Sequence, residues 1–453
     1  MKKIIGFIIV ILMLFQNIAL AYFNPQNVYN FIKELSSEKY RGRLCGDIGN
    51  ELACDFVVEK FKDAKLKPLG DNNTFFQHFY AYVPYIEGET YFRIYDNNKL
   101  IKEYKYGIDF KEVPFGLSKG GYVKGKIYSD KKKGNIFISI NYPSETVSEY
   151  DFDKDLLSKG IKAVIYMYNL NPNFKSTYKL QNEYSKGLIK IALNSKYLDE
   201  IINFQKKGYT FEIKSSIKLK KVKTKNIVAL KKAKEKKYPP IIFSAHIDHV
   251  GFDSNKIYPG ALDNASGVSF LIELANHLKN KQTNRDIIFI AFNAEEEGLL
   301  GSYYFVNNPP ISLEGAECIN FDMIGSKKEI PLTALKSSLC LNRQDSIDAF
   351  LNSYNLKRSY EDSSDHVPFT LKGISSVTLI HDDLDKIHTP YDTIENIDIK
   401  NIIKVYKIVE DYLNKKNVFI EDKNMHLYYV ISITFITIIV FIISFYRKFY
   451  NKK

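Results

Sequence analysis

Beyond residue 238 the chain repeats one pattern, and that pattern restricts its fold more than any other feature. Four apolar, β-rich stretches at 240–245, 286–292, 317–321 and 376–380 alternate with helical spacing at 266–279, 345–354 and 400–414. Strands alternating with helices predict an α/β fold with a mixed central sheet flanked by helices. Each stretch also leads into acid or imidazole. His246 and Asp248 follow the first in IIFSAHIDHVG, and the loop before the first helix holds Asp263 in PGALDNASG. The second delivers Glu295, Glu296 and Glu297, the third Asp322 in NFDMIG, and the fourth runs on to His388 in HTPYDT.

In open α/β sheets, groups just beyond the carboxyl ends of the strands converge in one crevice. A single His-x-Asp is ordinarily a surface pair, and adjacent glutamates repel unless metal or solvent compensates them. Recurrence at successive strand ends is what sets these residues apart. Two imidazoles and several carboxylates, with no thiolate motif, suit a hydrolytic zinc site with open coordination. The chain has no phosphate-binding loop, which argues against a nucleotide enzyme.

The two ends predict export and anchoring. Residues 1–21 combine Lys2 and Lys3, an apolar stretch and Ala19-Leu20-Ala21, the pattern of a signal peptide. Residues 427–446 are 20 uncharged residues, long enough to cross a bilayer, and Arg447, Lys448, Lys452 and Lys453 follow. The positive-inside rule then predicts a cell-membrane protein with one C-terminal transmembrane helix, a cytoplasmic tail at 447–453 and an extracytoplasmic body. Export permits disulfides among Cys45, Cys54, Cys318 and Cys340.

Between the ends, 26–67 carries helical spacing in two pieces, and 74–112 alternates aromatic and polar residues as strands do. A separate α/β texture at 113–222 lacks any cluster of histidine and carboxylate and reads as an insert without chemistry of its own. The expected main domain is therefore 22–112 plus 223–420. Residues 218–237 hold ten lysines against Glu235, which fits a hairpin over 226–236 with a wet basic face. Removing the two leader lysines and four tail cations from the formal +12 leaves +6 on 22–426. The basic balance thus reflects topology and one lysine run, with no nucleic-acid partner expected.

With AHIDHVG, PGALDNASGV, AEEEGLLGS, NFDMIG and HTPYDT in one chain, the sequence resembles the di-zinc aminopeptidase family. That family also contains glutamate carboxypeptidases, single-zinc glutaminyl cyclases and catalytically dead receptor ectodomains. The similarity covers most of 30–410, including LSSEKYRGR at 35–43 and Leu66-Lys67-Pro68, and the insert resembles a protease-associated domain. The resemblance implies two Zn2+ ions and peptide substrates with a free amino terminus. It implies that Asp263 bridges the ions, with His246 and Asp322 completing one site and Glu296 and His388 the other. Asp248 would orient His246, and Glu295 would be the general base. Glu297 falls at a variable position and is expected to be solvated. Leu262 stands where a second acid is common, which removes a charge but no ligand. His366 in SSDHVPF is expected either to stabilise the oxyanion or to serve structure, His249 to shape its loop, and His277 to lie at the surface. A carboxypeptidase or cyclase on the same scaffold, and a non-catalytic binding ectodomain, remain alternatives.

Overall fold

Pro25 in the first turn and the Asn24 side chain, which accepts from the Gln26 amide, start helix α1 (Pro25–Leu35). Its buried face is Val28, Ile32 and Leu35, one stripe at helical spacing. Asp47 caps α2 (Ile48–Asp63) in the same way through the Gly49 amide. Strands β1 (Lys67–Pro68) and β2 (Phe76–Ile86) follow. The computed structural model describes residues 22–420, apart from 114–115, 130–132, 141–146, 170, 172, 176–186, 254–255 and 355, together with Thr434 and Thr437.

Residues 87–216 build a smaller body with its own apolar cores. Its elements are β3 (Tyr91–Asp96), β4 (Lys99–Tyr104), β5 (Phe110–Glu112), β6 (Gly121–Gly125), β7 (Ile136–Ser139), α3 (Val147–Ser158), β8 (Ala163–Met167), β9 (Ile189–Leu193), α4 (Leu198–Lys206) and β10 (Thr210–Ser215). They form two four-stranded sheets, ordered β4-β3-β10-β6 and β5-β9-β8-β7. The chain returns through β11 (Ile217–Lys231), which pairs antiparallel with all of β2. Two expectations change here. Strands β3 and β4 pair within the smaller body, so a boundary at 113 falls inside it. The lysine run is one long strand instead of a hairpin, because ladders to β2, β1 and β13 hold it extended through Lys231.

The remaining elements are β12 (Ile241–His246), α5 (Ser266–Leu278), β13 (Ile287–Phe292), α6 (Leu300–Asn307), β14 (Glu317–Asp322), β15 (Thr333–Lys336), α7 (Asp348–Leu351), β16 (Lys357–Tyr360), α8 (His366–Leu371), β17 (Ser375–Ile380) and α9 (Ile399–Lys415). The main sheet runs β1-β11-β13-β12-β14-β17-β15-β16, with β2 also on β11. Strand β12 is parallel to both neighbours, β13 and β14. The chain leaves β12 for β13 on one side and then crosses to β14 on the other. That reversal opens a crevice at the carboxyl ends of β12 and β14, where such sheets bind ligands.

Alternation along β12 feeds two cores. Ile241, Phe243 and Ala245 pack with α1, α2, α5 and α9 on one face, while Ile242 packs with α6 and α8 on the other. A sheet buried on both faces needs continuous apolar strands, which is why β12 and β13 show no polar alternation. The helix expected at 345–354 is confined to α7. Among the described residues no helix is long and apolar enough to cross a membrane. The leader at 1–21 and the tail at 447–453 lie outside the described residues, as does the span at 427–446 apart from Thr434 and Thr437. All four cysteines are buried free thiols, so the disulfides that export would permit are not formed.

Candidate metal centre

His246 ends β12, Asp322 ends β14, and Asp263 lies in the loop entering α5. His246 Nε2 stands 3.3 Å from Asp322 Oδ1 and 3.4 Å from Asp263 Oδ1. The other oxygen, Asp263 Oδ2, faces His388 Nε2 at 3.2 Å and His249 Nδ1 at 3.4 Å. Glu296 closes the second group, with Oε2 3.2 Å from His388 and Oε1 3.1 Å from His249. Two donor groups therefore share one carboxylate. A Glu295 carboxylate oxygen lies within 4.8 Å of donor atoms of His246 and Asp322.

These separations have a chemical meaning. Tetrahedral coordination at ~2.0–2.1 Å places neighbouring donors about 3.3 Å apart. Nitrogen and oxygen donors at 3.1–3.4 Å around Asp263 match that edge length. His388 Nδ1 and His249 Nε2 are buried without a partner. The residues present fit two borderline-soft divalent ions sharing one carboxylate.

Charge in this crevice is held by burial against mutual compensation. Burial opposes protonation of His388, yet Glu296 and Asp263 lift its imidazole to about 10. Burial likewise opposes a charge on His246, and Glu295 and Asp322 raise it well above the usual range. Glu296 is driven down to about 2 despite its burial, chiefly by His388. Glu295 goes the other way, because burial and the adjacent Glu296 carboxylate raise it well above ordinary carboxylates. One glutamate is thus poised to hold a proton beside a neighbour that cannot.

Less visible residues set this geometry. Asp248 places its backbone oxygen 3.2 Å from His246 Nδ1, with its carboxylate at 3.9 Å, and its Oδ2 accepts from the Glu296 amide at 3.1 Å. Asp392 of HTPYDT accepts from the amides of Leu262 and Asp263, both at 2.9 Å, and so fixes the shared carboxylate. Ser364 Oγ donates to Asp322 Oδ2 at 2.8 Å. Arg43 is 1% exposed and donates to the carbonyls of Leu35, Ile247, Pro259 and Gly260. It therefore clamps the loop carrying His246, His249 and Asp263. Ala294, Met323 and His388 all adopt positive φ beside this crevice, a conformation non-glycine residues hold only where surroundings impose it.

Several expectations change at this site. His249 is fully buried and belongs to the donor group of Asp263, Glu296 and His388. Glu297 is 4% exposed rather than solvated, since the turn into α6 directs it inward, and burial raises its carboxyl. His366 has both ring nitrogens engaged, Nδ1 with Thr378 Oγ1 at 2.9 Å and Nε2 with the Glu361 carbonyl at 3.1 Å. It does not line the cavity, so the oxyanion role gives way to the structural one. His277 is buried against Tyr406 rather than exposed. His381 Nδ1 accepts from the Gly325 amide, away from the donor groups. The smaller body also reaches the site. Phe174 stacks on His388 with ring centroids 5.6 Å apart, and the Lys175 amide donates to the His388 carbonyl.

A cavity of about 460 Å³ opens over the donors. Met323, Leu335, Ile380, Leu384 and Ile387 line it with apolar surface, while Glu295, Glu296 and His388 supply the polar end.

Residues 226–413 match the profile of peptidase family M28. Aminopeptidase YwaD of Bacillus subtilis (strain 168) is 33% identical over 268 residues, 55% of each chain. The chain thus spans about half the length of that curated relative, and less of the others. Solved structures align over most of the chain, well beyond the matched 226–413. The aminopeptidase from Aneurinibacillus sp. strain AM-1 has a TM-score of 0.68 at 21% identity, covering 88% of this chain and 95% of that one. A zinc aminopeptidase from Bacillus subtilis has a TM-score of 0.65 at 24% identity, covering 89% of this chain and 100% of that one. At such identities the likeness establishes the fold, and every donor of the candidate metal centre falls within the matched residues 226–413.

Proposed function

We propose that this protein is a zinc-dependent aminopeptidase that removes N-terminal residues from peptides. The observation that carries the reading is the pair of donor groups sharing Asp263, with Glu295 at their edge. His246, Asp263 and Asp322 would hold one zinc ion, and Asp263, Glu296 and His388 the other. When bound, the two ions supply Lewis acidity at the scissile carbonyl and charge compensation for the crowded carboxylates. Glu295 takes a proton from the attacking water and passes it to the leaving amine, a task its raised proton affinity suits. The apolar wall of Met323, Leu335 and Ile380 accepts the side chain of the first residue and excludes water around it. Asp248 and Asp392 hold His246 and Asp263 in place.

The same reading places the protein in the cell membrane, with signal 1–21, an extracytoplasmic body and the span 427–446 as anchor. The body at 87–216 would take the part of a protease-associated domain. Full-length protein in detergent should hydrolyse leucyl-anilide, lose turnover to chelator and regain it with zinc, at two zinc ions per chain. One zinc per chain with cyclisation of N-terminal glutamine would replace this reading with a cyclase. Release of C-terminal residues from N-blocked peptides would replace it with a carboxypeptidase.

A further inference from the structure

Far from the metal centre, a groove of about 360 Å³ lies between the end of β11, the segment entering β1 and the turn after α5. Seven of its twelve lining residues are lysines, and none is acidic. Among the described residues no carboxylate forms an ion pair with any of the seven. Lys65, Lys234 and Lys279 instead donate to the amide oxygens of Asn280, Gln282 and Asn276. Lys231, half-buried, has its ammonium pushed down to about 8 by burial with no opposing carboxylate. A solvated charged face normally intersperses both signs, which limits self-repulsion. This one is of a single sign and concave.

Its position in the chain supplies the second observation. Gln282 and Thr283 line the groove and also receive the last described residues of the body. The Ile420 amide donates to the Gln282 carbonyl, Thr283 bridges to Phe419, and the Asn284 amide donates to the Val418 carbonyl. Lys281 lies 4.7 Å over the Phe419 ring. Six residues separate Ile420 from Leu427, where the apolar stretch begins. At ~3.3–3.6 Å per residue the covalent reach is at most about 25 Å. Whatever path those residues take, a chain anchored at 427 holds this groove close to the bilayer.

We infer that the lysine groove is a docking face for anionic lipid headgroups, which seats the peptidase body against the membrane that anchors it. The inference rests on the anchored reading above. Near a negatively charged leaflet each lysine contributes an attraction equivalent to roughly fivefold in occupancy, and the attraction fades beyond a Debye length of about 8 Å. A flexible tether alone would leave the body free to tumble; a basic face beside the tether fixes which side meets the lipid. The catalytic cavity draws on none of the seven lysines.

The test uses the full-length protein in nanodiscs of phosphatidylcholine alone or mixed with phosphatidylglycerol, with lysine acylation followed by mass spectrometry. Lys65, Lys67, Lys232 and Lys234 should react at least about fivefold more slowly in the anionic discs. That protection should vanish at about 1 M salt. Lys124 and Lys207, on the smaller body, should react alike in both. The variant K232Q/K234Q should lose protection at Lys65 and Lys67 while turnover of a soluble peptide is unchanged. Equal reactivity in both discs, with the chain resistant to alkaline carbonate extraction, overturns the docking face and leaves the anchor standing. Extraction of the chain by carbonate overturns the anchor and the inference with it. Protection by a soluble polyanion but not by phosphatidylglycerol assigns the groove to a polymer and overturns the lipid assignment.

Discussion

Replacing Arg43 with methionine should loosen the metal centre without touching a single donor. The guanidinium makes four hydrogen bonds of 2.7–2.9 Å to the carbonyls of Leu35, Ile247, Pro259 and Gly260. Bonds from a charged donor are worth about 1.5–3 kcal/mol each, a gross ~6–12 kcal/mol. Burying the cation costs several kcal/mol, which brings the expected net loss to ~3–5 kcal/mol. Burial pushes the guanidinium down only to about 10, with Asp263 and Asp392 opposing, so it remains charged at neutral pH. Because the freed carbonyls flank His246, His249 and Asp263, the loss should also appear as weaker zinc binding, by ~10–100-fold. Lysine at 43 offers three donors for four carbonyls and should recover only part of both effects. Urea unfolding of the zinc-free and zinc-loaded protein, together with chelator competition, reads the two quantities separately. A methionine variant with an unchanged midpoint and zinc affinity within about twofold of the parent would refute the clamp.

Other outcomes follow from the same geometry. Glu295→Gln should lower kcat by ~10²–10⁴-fold while two zinc ions remain bound by metal analysis, since in the proposed function the residue moves a proton and completes neither donor set. His249→Ala should weaken one of the two zinc ions by ~10–100-fold in a competition titration and leave the other nearly unchanged. His366 and His381 are both buried and held down to about 4, chiefly by burial, against an ordinary 6.5. Their folded values are depressed, so the stability they contribute is present above pH 6.5 and is lost as pH falls toward 4. Each should cost about 2 kcal/mol between about pH 7 and pH 5. Urea midpoints at the two pH values check this, and His366→Gln should flatten its share. Leu335→Asp should reduce turnover of leucyl-anilide far more than that of lysyl-anilide, because it places a carboxylate in the apolar wall of the cavity.

The sheet and the principal donors were legible because strand ends and loop motifs are local. The stretch IIFSAH could only be a strand buried on both faces, and the histidine at its end had to emerge at the crevice. The role of Arg43 is not legible in LSSEKYRGR, because its four acceptors are backbone carbonyls, which carry no sequence signal, and three of them lie more than 200 residues away. His249 was hidden for a related reason. One residue after Asp248, it lies past the strand, where no alternation rule says which way a side chain turns. Glu297 was misplaced because the turn into α6 passes through left-handed Leu299, and that geometry overrides the surface expectation for a third glutamate.

The smaller body gives the clearest case of tertiary structure overriding local texture. No catalytic cluster occurs in 113–222, and read alone the segment promised no part in the chemistry. Yet Phe174 stacks on the His388 ring, and the Lys175 ammonium is buried on the carbonyls of Val250 and Phe252, in the loop that follows His246. Lys111 on β5 donates to the Phe174 carbonyl and to Tyr258, which in turn donates to Asp253. Two buried ammonium groups thus tie the body to the 250–258 loop, which lies between His249 and Asp263. Burying a cation is tolerable only where fixed acceptors replace its water, so these contacts hold in one arrangement of the two bodies and not in neighbouring ones. The smaller body therefore orients a residue of the candidate donor group without supplying one: displacing it would leave His388 with neither the ring packed against it nor the amide on its carbonyl.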